Sequence, residues 1–257
     1  MLPSFSPPWG NTHQCKKPRI LLLEVRPREN PDAAPFARIL VEREATYKSE
    51  ADETISEASI RLSYQLISSE YRGVNLDAGS FSGGYSKVFN RVSLTAASVS
   101  DGGGVFLDPE DLRGQRIGTY LMSEVVQWVQ RWPDAEVNSV ELVPWQANEQ
   151  MNKVRRNQMY EQIGLRFDYI DGDERNRGYS RPMRTGDLTV VNTWKKNIRE
   201  LNILEHLCDT QRRLEFVSNE LRIQKMAARR FSQDYLKMEA TPLRWALGVL
   251  LRKTTRG

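Results

Sequence analysis

Residues 113–118, Arg-Gly-Gln-Arg-Ile-Gly, combine two guanidinium groups and two glycines in one turn, directly before a run with helical spacing. The chemistry open to such a turn is recognition of a phosphorylated group. A helix start leaves backbone N–H groups without intrahelical acceptors, and its aligned peptide dipoles add roughly half a positive charge. Gly114 and Gly118 let the main chain approach phosphate oxygens with no Cβ in the way. Arg113 and Arg116 add charge-assisted donors. A strand-to-helix turn that merely needs flexible glycines fits the same six residues, so the loop alone leaves both readings open.

Two further stretches frame the loop. Val105 to Leu107 reads as a short apolar strand ending at Asp108-Pro109. Val137 to Trp145 reads as a second strand, followed by a helical stretch from Asn148 to Phe167 that contains Asn152, Asn157 and Tyr160. A tyrosine is protonated at neutral pH, its unperturbed pKa lying near 10, so it can donate a proton but not accept one there. A tyrosine closing the core fits position 160 as well.

Taken together, residues 105–170 resemble the GNAT family of N-acetyltransferases. The first stretch is similar to that family's acetyl-CoA loop, Arg/Gln-x-x-Gly-x-Gly/Ala after a strand ending near a proline. The second resembles the family's tyrosine-bearing helix, closing here in Tyr160-Glu161-Gln162-Ile163-Gly164-Leu165. Read as Arg113-x-x-Arg116-x-Gly118, the loop carries arginine where the family prefers its first glycine, and Thr119 follows Gly118. An arginine Cβ there crowds the backbone approach unless φ is negative.

The resemblance implies an acetyl-CoA-dependent transferase acting on an amine of a small molecule or protein. It places acetyl-CoA on Phe106, Leu107, Arg113, Gly114, Gln115, Arg116, Ile117, Gly118 and Thr119, with its pantetheine arm between splayed strands 105–108 and 137–145. Amides where the first strand opens would form an oxyanion hole. Asn152 and Asn157 would hydrogen-bond the arm, and Tyr160 would protonate the departing thiolate. Glu141 is one candidate general base, with no residue singled out. The alternative is a GNAT-fold binding or scaffold protein, weak or inactive in catalysis, that assembles through its C-terminal helices.

Bulk properties narrow the field. The chain has 257 residues, two histidines and two cysteines, Cys15 and Cys208, far apart in sequence. That argues against a Ser-His-Asp hydrolase, a disulfide framework or a histidine- or cysteine-ligated metal. Metal ligation is not expected. Cysteine usage and the lack of any long apolar run suggest a cytoplasmic setting. Residues 1–18 read as a loose, proline-punctuated tail.

Elements that must position the loop follow from patterning. Arg19–Val25 and Ala37–Arg43 read as strands, Glu53–Ser69 as an imperfect helix, and Asn75–Tyr85, rich in Gly and Ser, as a loop. Val88–Val99 reads as a strand forming an antiparallel hairpin with 105–107 through the glycines at 102–104. Ile117, Leu121, Val125, Trp128, Val129 and Trp132 form a helical stripe closed by Pro133, and Leu165–Ile170 and Met183–Val191 read as last strands. The expected fold is α/β: a GNAT-like mixed, largely antiparallel sheet flanked by helices over 19–191, plus an all-helical, coiled-coil-like extension over 192–257.

That extension carries an unbroken 4-3 spacing from Ile203 through Leu207, Leu214 and Leu221 to Met238, with Gln224 in mid-seam. Self-association through 203–238 and packing on the chain's own domain both fit this seam. From residue 192 onward the chain has 14 Lys and Arg against 7 Asp and Glu, a net +7, while the remaining 23 and 26 give −3, recovering the overall +4. A basic helical arm suits nucleic acid or an acidic partner, although solvated helix faces carry such charge too. The short apolar stretch Leu243–Lys253 suits docking on a partner or the same chain, or a membrane surface.

Overall fold

The computed structural model describes residues 19–50, 53–69, 78–105, 107, 112–144 and 150–254. It divides into two compact units, residues 1–203 and 204–257. The first is mixed α/β. Its main sheet has seven strands: β1 (Ile20–Val25), β2 (Ala37–Ser49), β3 (Ile55–Ser69), β4 (Ala78–Ser86), β5 (Arg91–Ser93), β6 (Glu136–Val137) and β10 (Ile198–Leu201). Their order across the sheet is β10-β1-β2-β3-β4-β5-β6, and every pair is antiparallel except β5 with β6. A small antiparallel sheet holds β7 (Glu141–Leu142), β9 (Gly178–Ser180) and β8 (Phe167–Tyr169), in that order.

The central strands owe their form to a period of two. Ala58, Ile60, Leu62, Tyr64 and Leu66 of β3 are all buried, and the residues between them are not. Residues 53–69, expected to be helical, are therefore a strand. The apolar positions at 55, 58 and 62 mimic helical spacing, but Tyr64 completes an alternation that only a strand can bury on one face.

Of the Gly/Ser segment 75–85 expected as a loop, the described residues 78–85 likewise belong to a strand, β4. Its inward positions alternate Gly79, Phe81, Gly83, Tyr85, and each glycine faces a bulky partner: Gly79 pairs with Tyr64 and Gly83 with Ile60. A Cβ on Gly83 would lie 2.8 Å from Val125 Cγ1, so the missing side chain is what lets a helix settle on the sheet. Among the described residues the expected hairpin between 88–99 and 105–107 is not seen. Residues 87–90 are a turn, 91–93 a short strand that pairs with β4, and 94–100 irregular, while Val105 and Leu107 belong to no strand.

Helix α1 (Ile117–Val129) follows the expected stripe. Ile117, Leu121, Val125, Trp128 and Val129 are buried, as are Tyr120, Met122 and Val126, so almost the whole helix surface is covered. Trp132 beyond its end stacks on Tyr85 with ring centroids 4.0 Å apart. Helix α2 (Gln150–Gln162) ends at Gly164, whose φ of +101° suits glycine, and Leu165 N–H donates to the Tyr160 carbonyl at 3.1 Å. Residues 183–191, expected as a strand, hold only a bridge at Arg184 and a 3₁₀ turn, Thr185–Asp187.

The helical extension was expected from 192. Residues 192–201 instead belong to the α/β unit: Thr193–Lys196 is a 3₁₀ turn and β10 forms the sheet edge against β1. Helix α3 (Ile203–Ala240) runs 38 residues with no buried position, and Pro242 opens α4 (Pro242–Thr254). Leu214, Val217 and Leu221 on the seam are 64%, 58% and 49% exposed, an apolar stripe on the surface of the helix. No helix among the described residues is long and apolar enough to cross a membrane. The N-terminal tail, Phe106, Asp108-Pro109, Trp145 and Asn148 lie outside the described residues.

Gly84, on the other face of β4, tests the close packing there. A Cβ would sit 2.5 Å from the Ala97 carbonyl oxygen, a main-chain atom that cannot swing away. Gly84→Ala is expected to destabilise the α/β unit by roughly 1–3 kcal/mol, read as a lower urea midpoint at unchanged slope.

Candidate functional site

Leu112, only 1% exposed, anchors the turn that runs through 113–116 into α1. Gly114 has φ +83° and Arg116 φ +65°, both left-handed. The arginine therefore does not keep the negative φ that an open backbone approach calls for. Left-handed backbone costs a non-glycine residue roughly 1–2 kcal/mol, so something must hold it. Asn197, 2% exposed, does so: its Oδ1 accepts from Arg116 Nη1 at 2.9 Å, and its Nδ2 donates to the carbonyls of Gln115 and Arg26, each at 3.1 Å.

Arg116 occupies the N-cap position of α1 without a side-chain cap, and its carbonyl takes the Tyr120 amide. Among the described residues, no acceptor serves the amides of Ile117, Gly118 or Thr119. They open onto a cleft of about 190 Å³ lined on one wall by Arg113, Gly114, Arg116, Ile117, Gly118 and Thr119, and on the other by Asn152, Arg155, Arg156, Gln158, Met159 and Gln162 of α2. Arg28, Phe81, Val105, Leu107 and Thr193 complete it.

Five arginines thus converge with no aspartate or glutamate among the described lining. Arg28, Arg116, Arg155 and Arg156 form no ion pair with a described carboxylate. Burial lowers the Arg116 pKa, and the positive charge of Arg28 adds to that effect. Burial also lowers that of Arg156, whose guanidinium is held by the carbonyls of Val143 at 2.8 Å and Asn176 at 3.1 Å. Both remain cations, since guanidinium pKa values lie far above neutrality. Gly114 suits its φ of +83°, and a Cβ there would lie 3.3 Å from Arg155 Nε, close enough that the α2 guanidinium would have to shift. A cleft of this kind, with no carboxylate among its described lining and a helix start at its edge, has the chemistry to attract an anion.

Several expected site residues are placed elsewhere. Among the described residues the splayed pair 105–108 and 137–145 is not seen: 105 and 107 are not in a strand, and 137–144 divides between β6 in the large sheet and β7 in the small one. Leu107 still lines the cleft, but its carbonyl is engaged by Arg113 Nε at 3.0 Å. Gln115 turns its Oε1 to the Arg28 amide, at 3.0 Å, and does not line the cleft. Asn157 is buried, donating to the Arg175 carbonyl at 3.0 Å and accepting from Arg156 Nε at 3.1 Å, so it braces α2 rather than facing the cleft. Asn152 does line it.

Tyr160 is 2% exposed, lies with its ring centroid 5.8 Å from that of Phe167, and is absent from the cleft wall. Burial pushes its phenol pKa well above the usual value, although the Arg156 charge opposes the shift. It is a core residue one helical turn beyond Arg156. Glu141 is exposed on β7, where its Oε1 accepts from Tyr179 Oη at 3.2 Å. Pattern reading overlooked Arg28, Arg155, Arg156 and Asn197. The Arg155-Arg156 pair one turn before Tyr160 was the visible signal; Asn197 left none, because its partners lie 81, 82 and 171 residues away.

Compared with family models, with curated proteins and with solved structures, the chain matches none of them.

Asn197→Ala would leave the Gln115 and Arg26 carbonyls short of a buried donor and release Arg116. The expected loss is roughly 1–3 kcal/mol of stability in a thermal or urea melt. Faster amide exchange should appear at 114–118, and an unchanged exchange pattern would show that the turn holds itself.

Proposed function

We propose that this chain is an acetyl-CoA-dependent N-acetyltransferase acting on an amine of a small molecule or protein. The reading is carried by one observation, the cleft in which five arginines and the uncapped start of α1 converge with no carboxylate among the described lining. These residues suit the diphosphate segment of coenzyme A. Arg113 and Arg116 on the turn, Arg155 on α2 and the amides of 117–119 would hold it, and Phe81, Leu107 and Met159 offer apolar contact beside them.

When bound, acetyl-CoA supplies a thioester whose acetyl group passes to the acceptor nitrogen, the C–S bond breaking as the C–N bond forms and the amine releasing a proton. The chain's part is to orient and hold. A cleft fixed in advance by Asn197 and Gln115 lowers the ordering cost of binding. Tyr160 lies in the core, so the proton for the departing sulfur is assigned to solvent. The GNAT-like arrangement of sheet and helices is likewise part of the proposal.

The helical arm is assigned to self-association through 203–238, on the strength of its exposed seam. Its basic C-terminal part suits an acidic partner such as nucleic acid. A second reading, a binding protein that keeps the cleft and the arm without turnover, draws on the position of Tyr160 away from the cleft wall.

Gly118 provides the decisive test. A Cβ there would meet Met159 Sδ at 3.5 Å, an ordinary contact, so an aspartate fits the helix yet brings a carboxylate to the cleft. Gly118→Asp is expected to abolish acetyl-CoA binding in calorimetric titration while the melting temperature holds within a few degrees. Unchanged affinity would remove the cofactor assignment.

Tyr160→Phe is expected to leave acetyl-CoA affinity and transfer rate within about three-fold. A loss of roughly 10²-fold or more in rate, in the range of general acid catalysis, would restore the phenol to the reaction.

A further inference from the structure

The exposed face of α3 has a charge pattern that specifies how it is covered. Through Glu220 the helix carries Glu205, Asp209, Glu215 and Glu220 against Arg212 and Arg213, a net −2. From Leu221 it carries Arg222, Lys225, Arg229, Arg230 and Lys237 against Asp234 and Glu239, a net +3. Within the helix Arg212 pairs with Asp209 at 3.0 Å. The basic stretch 221–230 contains no acidic residue.

We propose that α3 pairs with the α3 of a second copy of this chain as an antiparallel coiled coil, with its two-fold axis between Arg222 and Ile223. This rests on the self-association proposed above and adds its geometry. Two such helices laid side by side in opposite directions set each acidic half against the partner's basic half. Laid in the same direction, they set like against like.

The seam supports the same choice. In the antiparallel register every seam position from 207 to 238 meets a seam position of the partner, and bulky residues fall opposite smaller ones. Tyr235 meets Thr210, and Phe231 meets Leu214. A parallel pair would stack Tyr235 on Tyr235 and Phe231 on Phe231, with Ala228 on Ala228 leaving a gap between crowded layers, which close packing disfavours. At the flanks, the antiparallel register brings Arg213 beside Asp234 of the other copy, twice by symmetry. The parallel register brings Glu220 beside Lys225 but Asp234 beside Glu239, each twice, so its attractive and repulsive flank contacts offset one another.

The exposed Cys208 supplies the measurement. In full-length protein carrying Cys15→Ser, a nitroxide on Cys208 reports one intermolecular distance. Cys208 lies 14.5 residues from the axis, so the antiparallel dimer separates the two labels by about 44 Å along the helices at 1.5 Å per residue. The parallel dimer brings them within roughly 20 Å, two helix diameters.

A dipolar distance near 45 Å is the expected result. A short distance overturns the antiparallel geometry while leaving self-association standing. Light scattering that shows a monomer at tens of micromolar overturns both. Arg213→Glu should raise the dimer dissociation constant about ten-fold, because two attractive contacts become repulsive; no change would also count against the geometry, since a parallel pair places Arg213 beside Ser218.

Discussion

The side chain of Asn197 joins three segments that are remote in sequence. Through one amide group it holds the end of β1 at Arg26, the turn at Gln115 and the guanidinium of Arg116. Its own main chain is tied as well, the Arg26 amide donating to the Asn197 carbonyl at 2.8 Å. A buried amide with its donors and acceptor engaged is costly to disrupt. The turn before α1 can therefore hold two left-handed residues, one of them an arginine, and leave the helix start without a side-chain cap. The cleft is a consequence of where the last strand of the sheet runs.

That dependence explains the layout of charge. Arginines from three separate parts of the chain, the β1–β2 connection, the turn into α1 and α2, meet in one cleft, and the described acidic residues are kept off its wall. Mutual repulsion among such cations opposes folding unless other groups solvate them. Here main-chain carbonyls do so: Leu107 for Arg113, and Val143 and Asn176 for Arg156. Carbonyls hold a guanidinium in place without cancelling its charge, which leaves the field available to an anion.

The second unit follows a different logic. A helix of 38 residues with no buried position cannot draw its stability from a core, and an exposed row of Leu and Val is unfavourable in water. Its charges divide by half rather than alternating along one face. An isolated helix gains little from that division, whereas in the proposed antiparallel pair the acidic half of one copy lies along the basic half of the other.

The sequence by itself determined the parts whose signal is local. The stripe from Ile117 to Trp132 identified α1, the 4-3 spacing identified α3, and the basic glycine turn marked one wall of the cleft. Tertiary structure decided the rest. Residues 53–69 became a strand because their burial is set by β2 and β4 on either side, not by their own spacing. The glycines of β4 lie in a strand because Tyr64 and Val125 fill the space beside them. Tyr160 went to the core because Phe167 packs against it. Arg28, Arg155, Arg156 and Asn197 became a site only when the fold brought them together, since a cleft assembled from distant segments has no spacing for a sequence to display.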